Sequence, residues 1–138
     1  MGRFALVLLL AVFALASGCS SNEIISDQQI SVAAYRKITA EQAKEIIDGD
    51  EPFIVLDVRT DAEFREYRID GAVLIPHFEI KERAPNELPD KDTLILIYCL
   101  RGARSYEAAK ELVNMGYTKV YDFGGIADWV YETVSGGA

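Results

Sequence analysis

The chain has 138 residues, half of them hydrophobic, with 22 acidic side chains against 14 basic ones and a formal charge of −8 at neutral pH. That length suits one domain and hardly two, and an acidic chain without a lysine or arginine run gives a phosphate backbone nothing to hold, which argues against nucleic-acid binding. Two cysteines cannot build a disulfide framework.

The N-terminus begins with Met1-Gly2-Arg3, a short basic start, and continues as the apolar run Phe4 to Ala16. At about 13 residues this run is too short to cross a hydrocarbon core that needs roughly 20, and it has the length of the apolar part of a secretory signal. It ends in Leu15-Ala16-Ser17-Gly18-Cys19, small residues leading directly into a cysteine. This segment resembles the lipobox of bacterial lipoproteins. The resemblance implies a signal peptide over residues 1–18 and a lipidated Cys19 at the head of the mature chain, whose formal charge is then −9. Acyl chains contribute about 0.8 kcal/mol per buried methylene, so a multiply acylated cysteine is a stable membrane tether. Residues 19–34 are polar after Cys19, with few bulky side chains, and read as a flexible spacer, leaving 35–138 as the folded domain. The expected location is the bacterial cell envelope. Ser20 is not an acid, which under the sorting rule of Gram-negative lipoproteins points to the outer membrane facing the periplasm. The alternative is an uncleaved signal anchor with Cys19 an incidental thiol.

From Tyr35 onward helical and extended patterns alternate. Thr39-Ala40-Glu41-Gln42 is a capping box that opens a helix with Ala43, Ile46 and Ile47 on one face and Gly49 as its stop. Phe53 to Leu56 is a continuous β-prone apolar run, the mark of a strand covered on both faces. Thr60-Asp61-Ala62-Glu63 is a second capping box. Val73 to Ile75 reads as a short strand stopped by Pro76, and Leu94 to Tyr98 as another buried strand. Ser105 to Met115 carries Ala108, Ala109, Leu112 and Val113 at helical spacing before Gly116. Lys119 to Tyr121 reads as a last strand and Ile126 to Thr133 as a final helix. Such alternation implies an α/β fold, a mostly parallel sheet with helices on both faces. In these sheets ligands bind where strands end and helices begin, which directs attention to the turn after Tyr98.

That turn reads Cys99-Leu100-Arg101-Gly102-Ala103-Arg104-Ser105. Unpaired amides at a helix start, the helix macrodipole, and the cations Arg101 and Arg104 all favour thiolate over thiol at Cys99. Gly102 lets the backbone curl so that its amides aim inward. The competing reading is a buried structural cysteine beside two solvated arginines.

These segments together resemble a single-domain rhodanese, over roughly Tyr35 to Glu132. The match is carried by Ile54-Val55-Leu56-Asp57-Val58-Arg59, Glu63-Phe64, Ile69-Asp70-Gly71-Ala72 with Ile75-Pro76, the Cys99 to Ser105 loop, and Gly124-Gly125 followed by Trp129. The resemblance implies that Cys99 carries a persulfide, taking sulfane sulfur from a small anionic donor such as thiosulfate and passing it to cyanide or a thiol. It implies no cofactor and no metal. Sulfite leaves without a proton, so neither a general base nor a general acid is required, and the single histidine, His77, has nothing in the sequence that places it beside Cys99. Arg101 occupies the position where relatives receive the anionic donor. Arg104 either contacts that donor or pairs with a carboxylate and braces the loop. Four residues separate Cys99 from Arg104, whereas tyrosine phosphatases and the related cell-cycle phosphatases have five, so the tighter ring fits a persulfide better than a phosphoryl group.

Asp57 and Arg59 are read as supporting residues at a strand end, with Arg59 expected to pair with Glu63. Gly124-Gly125 reads as a turn and Trp129 as core. The sequence departs from the family at Tyr67-Arg68, where Gly-His is common, and the consequence falls on local packing or a partner surface, not on the thiol. Two functions are open. One is a lipid-anchored sulfurtransferase. The other is a non-catalytic sulfur carrier or protein-docking domain, for which a degenerate loop would have argued.

Overall fold

The computed structural model describes residues 34–136. The signal peptide expected at 1–18, Cys19, and all but the last residue of the spacer lie outside the described residues. That last spacer residue, Ala34, is already buried against the domain.

Five strands form one sheet in the order β1-β5-β4-β2-β3, and every neighbouring pair is parallel. The strands are β1 (Tyr35–Lys37), β2 (Phe53–Asp57), β3 (Val73–Leu74), β4 (Leu94–Cys99) and β5 (Val120–Gly125). The helices between them are α1 (Ala40–Ile47), α2 (Asp61–Glu66), α3 (Ile80–Glu87) and α4 (Ala103–Asn114). The expected fold class is the observed one.

β4 is the central strand, and all six of its residues are buried. Its side chains alternate between two cores, as the pleat requires. Ile95, Ile97 and Cys99 meet Ile80 and Ala84 of α3 and Ala108, Ala109 and Leu112 of α4. Leu94, Leu96 and Tyr98 meet Ala43 of α1 together with Phe123 and Trp129. The reactive-looking cysteine therefore continues the α3–α4 face of the sheet.

Both capping boxes form. Thr39 and Gln42 exchange backbone and side-chain hydrogen bonds at 3.2 and 2.9 Å, and Thr60 and Glu63 do the same at 3.3 and 3.0 Å. Four elements differ from the sequence reading, the first being the edge strand β1, which no apolar run marks in the sequence. α3 is hidden by Pro85, which removes a helix donor. Buried Ile80 and Ala84 on one face, and Arg83 reaching both Glu79 and Glu87, hold the helix regardless. β5 extends four residues beyond Tyr121, because pairing with β4 continues through a register shift to Gly125. The expected final helix is only a 3₁₀ turn, Ile126–Asp128. Trp129, Val130, Tyr131 and Thr133 are weak helix formers, and the chain bends at Tyr131 and forms no further helix before Val134 bridges Arg68.

Arg68 thus has a packing role. Its backbone exchanges hydrogen bonds with Val134 at 2.9 and 2.8 Å, its guanidinium donates to Gly136 O at 2.7 Å, and it stacks on Phe64 at 4.6 Å. The departure from the family pattern fastens the chain's own C-terminal segment.

Candidate active site

The loop begins where β4 ends. Cys99 is 1% exposed, and Gly102, with φ of 100°, turns the backbone in a left-handed conformation before α4. This curl brings the Gly102 N–H to the Cys99 sulfur, donating at 3.0 Å. Burial pushes the Cys99 thiol up. The amides of Ser105, Gly102 and Arg101, with the Ser105 hydroxyl, outweigh burial and hold it below its ordinary value. The lowering expected from helix amides is therefore present, and donors to the sulfur lead it ahead of the two arginines.

Gly124 and Gly125 are the floor of this loop, not a free turn. A Cβ at Gly125 would come within 2.3 Å of Leu100 O and 2.7 Å of the Arg101 Cα. Only a glycine lets β5 pass that close under the loop. Gly124 has φ of +86° and nearly touches Gly102, whose own Cβ would lie 3.4 Å from the Gly124 Cα. Leu100 is fixed through its carbonyl, which accepts from Ala127 N at 3.2 Å, and Ala103 supplies the first residue of α4.

The two arginines part company. Arg104 donates to both carboxylate oxygens of Glu63 at 2.7 and 2.8 Å. The Arg104 bonds pull the Glu63 carboxyl down to about 2, and the Thr60 amide and hydroxyl assist against burial. Of the two roles open to Arg104, bracing is the one its geometry fills. The same glutamate closes the capping box of α2, so one carboxylate ties that helix to the loop. Arg101 is exposed, and among the described residues no acid forms a salt bridge with it. It borders a cleft of about 390 Å³ with Lys37, Glu41, Gly124, Gly125 and Asp128.

Asp57 and Arg59 are both fully buried and pair with each other. Arg59 Nε and Nη2 donate to Asp57 at 3.0 and 2.7 Å, and Nη2 also reaches Tyr67 O at 2.6 Å. The expected pairing of Arg59 with Glu63 is thus corrected. Asp57 lies two residues away and receives Arg59 in a closed local fork, which leaves Glu63 free for Arg104. His77 sits on the turn after Pro76 with its Nδ1 buried and unpartnered, and among the described residues no hydrogen bond joins it to Cys99.

Two residues escaped the sequence reading, Lys37 and Asp122. Asp122 is a fully buried acid on β5, and Lys37 pairs with it from β1 at 3.1 Å. An acid inside an apolar strand, in Val120-Tyr121-Asp122-Phe123, was the available signal.

A family model described as a rhodanese-like domain matches residues 39–132. The chain belongs to the rhodanese-like family. The thiosulfate sulfurtransferase PspE of Escherichia coli is 37% identical over 81 residues, which cover 59% of this chain and 78% of that protein. A sulfurtransferase of Allochromatium vinosum is 36% identical, covering 67% of this chain and 86% of its own length. A solved structure described as a rhodanese with anions from E. coli aligns with a TM-score of 0.57 at 36% identity, covering 60% of this chain and 98% of that one. The protein is a rhodanese-type enzyme, and its Cys99 loop lies inside the matched region.

Proposed function

We propose that this rhodanese moves sulfane sulfur from thiosulfate, or a similar small anion, to cyanide or a thiol through a persulfide on Cys99. The observation that supports it best is the sulfur itself, buried at a strand end, receiving the Gly102 N–H at 3.0 Å and held below the ordinary thiol value by loop amides. The Cys99 thiolate attacks the outer sulfur of thiosulfate. A new S–S bond forms, the bond to the sulfonate sulfur breaks, and its electron pair leaves on sulfite. The terminal sulfur keeps a negative charge that the same inward-facing amides stabilise without rearrangement. Attack by cyanide or a thiolate on that sulfur returns Cys99 to its starting state. No step needs a general base, in keeping with His77, the single histidine of the chain, making no hydrogen bond to Cys99. Arg101, exposed and unpaired two residues from Cys99 on the same loop, receives the donor's sulfonate, and Leu100, Gly102, Ala103 and Ser105 complete the cradle.

The test is the intact mass of the full chain after thiosulfate treatment. One added sulfur atom on Cys99, removable by cyanide and absent in Cys99→Ser, supports the reading. An unchanged mass, with transfer at background, would move the assignment to a docking domain. The resemblance at Leu15 to Cys19 supports a further proposal, that acylated Cys19 tethers the domain in the cell envelope. Cys19→Ser should then release the protein from membranes, and unchanged sedimentation with them would defeat the tether.

A further inference from the structure

Beneath the Cys99 loop, on the side away from Arg104, lies a charge that the proposed chemistry does not use. The Asp122 carboxylate is wholly buried and accepts four hydrogen bonds. Oδ1 takes the Ser105 hydroxyl at 2.8 Å and the Gly124 amide at 2.9 Å, and Oδ2 takes Tyr35 Oη at 3.2 Å and Lys37 Nζ at 3.1 Å. Among the described residues Lys37 is the one cation on it. The lysine side chain is 55% exposed, but its ammonium lies against the glycines that frame the loop, 3.2 Å from where a Gly124 Cβ would stand and 4.0 Å from one at Gly102.

An asparagine at 122 could accept the same hydroxyl and the same amide. What the carboxylate adds is charge, and a buried charge is tolerated only when a partner compensates it. Ser105 links that charge to the loop. Its backbone amide helps hold the Cys99 ionisation down, and its hydroxyl has Asp122 Oδ1 as its nearest acceptor at 2.8 Å, ahead of Gly102 O at 3.1 Å and Gly124 O at 3.2 Å. We propose that Lys37 and Asp122 form a counter-ion pair that positions Ser105 and sets the electrostatic balance beneath the Cys99 sulfur, both acting as positioning residues for the sulfur transfer. The proposal rests on Cys99 being the nucleophile.

The other charges near the loop are paired apart from Arg101, and the acids Glu41 and Asp128 line the cleft that Arg101 and Lys37 share. On the α2 side Arg104 is matched by Glu63, at the end of β2 Asp57 is matched by Arg59, and Arg101 stands exposed on the loop. On the β1–β5 side, Tyr35, its own ionisation pushed up to about 12 by burial and by Asp122, stays a neutral donor. Among the described residues only Lys37 offsets the Asp122 charge with a charge of its own. A bare anion disfavours the thiolate, and a bare cation favours it.

The experiment is the pH profile of Cys99 alkylation by iodoacetamide in the full chain, read at the Cys99 peptide by mass. Lys37→Met should raise the midpoint by about one pH unit, Asp122→Asn should lower it by about half a unit, and the double variant should return close to wild type. Midpoints that coincide in wild type and Lys37→Met would overturn the proposal. If Asp122→Asn does not fold, Lys37→Arg decides: a wild-type midpoint with arginine beside a raised one with methionine supports the pair, and equal midpoints refute it. Alkylation needs no sulfur donor. Shifted midpoints in a protein that transfers no sulfur would therefore break the functional reading and leave the counter-ion pair standing.

Discussion

β2 and β4 are neighbours whose ends lie side by side, Asp57 opposite Tyr98 in register, and the segments that leave those ends differ in kind. After β2 the chain closes on itself. Asp57 and Arg59 meet at zero exposure, and Arg59 is clamped between the rings of Tyr67 and Tyr98 at 5.1 and 5.6 Å. After β4 the chain opens, with a sulfur that receives the Gly102 amide and, on the same loop, an unpaired arginine that borders a cleft Cys99 does not line. One corner uses its charges on each other. The other leaves an arginine without an acid among the described residues. The site proposed for sulfur transfer thus stands beside a corner whose two charges are already paired.

The contrast is sharpest in stability. Asp57→Ala leaves Arg59 buried without its partner and should cost about 3–5 kcal/mol, measured by denaturant unfolding. The same experiment on Cys99→Ser should show a loss under about 1 kcal/mol, because little volume and no ion pair is removed. Equal losses would erase the distinction between frame and site.

The bridge between the corners comes next. Glu63 is held at about 2 by Arg104, far below a free carboxylate. A depressed folded value contributes stability above the unfolded value near 4.3, and that contribution fades as pH falls toward 2. Glu63→Gln should therefore cost about 2 kcal/mol at neutral pH, once solvent screening of this partly exposed pair is allowed for, and almost nothing at pH 2. A cost independent of pH would mean that the bond to Arg104 carries no charge-dependent part.

The smallest effect belongs to Arg101. Arg101→Ala should lower kcat/KM for thiosulfate about tenfold, or about 1.4 kcal/mol, while changing alkylation of Cys99 by a neutral reagent little. Equal losses in both assays would make Arg101 a tuner of the sulfur and not a receiver of the donor.

Much of what is decided within a few residues could be read from the sequence, although Pro85 hid α3 and the three-residue β1 was too short to show. Thr39 with Gln42, Thr60 with Glu63, and the apolar run of β4 are local statements, and the loop from Cys99 to Ser105 announces itself by lying between a buried strand and a helix. Choices of partner across the chain could not be read. Glu63 is four residues from Arg59 and 41 from Arg104, yet the distant arginine takes it, because Asp57 has already claimed the near one. Lys37 and Asp122 are 85 residues apart on adjacent strands, and only the parallel register of β1 and β5 sets them together. The final helix failed for the converse reason, since local spacing suggested it while aromatic packing of Trp129 on Phe123 and Tyr131 and the tie from Val134 to Arg68 hold the segment in a different path.

The central claim concerns one atom, and the alkylation rate of Cys99 in the wild-type protein between pH 5 and pH 10 tests it most directly. The expected titration midpoint lies clearly below about 8.5, the value of an unperturbed cysteine. A midpoint at or above that value would mean that burial wins over the loop amides, and the thiolate on which the whole mechanism turns would not be there.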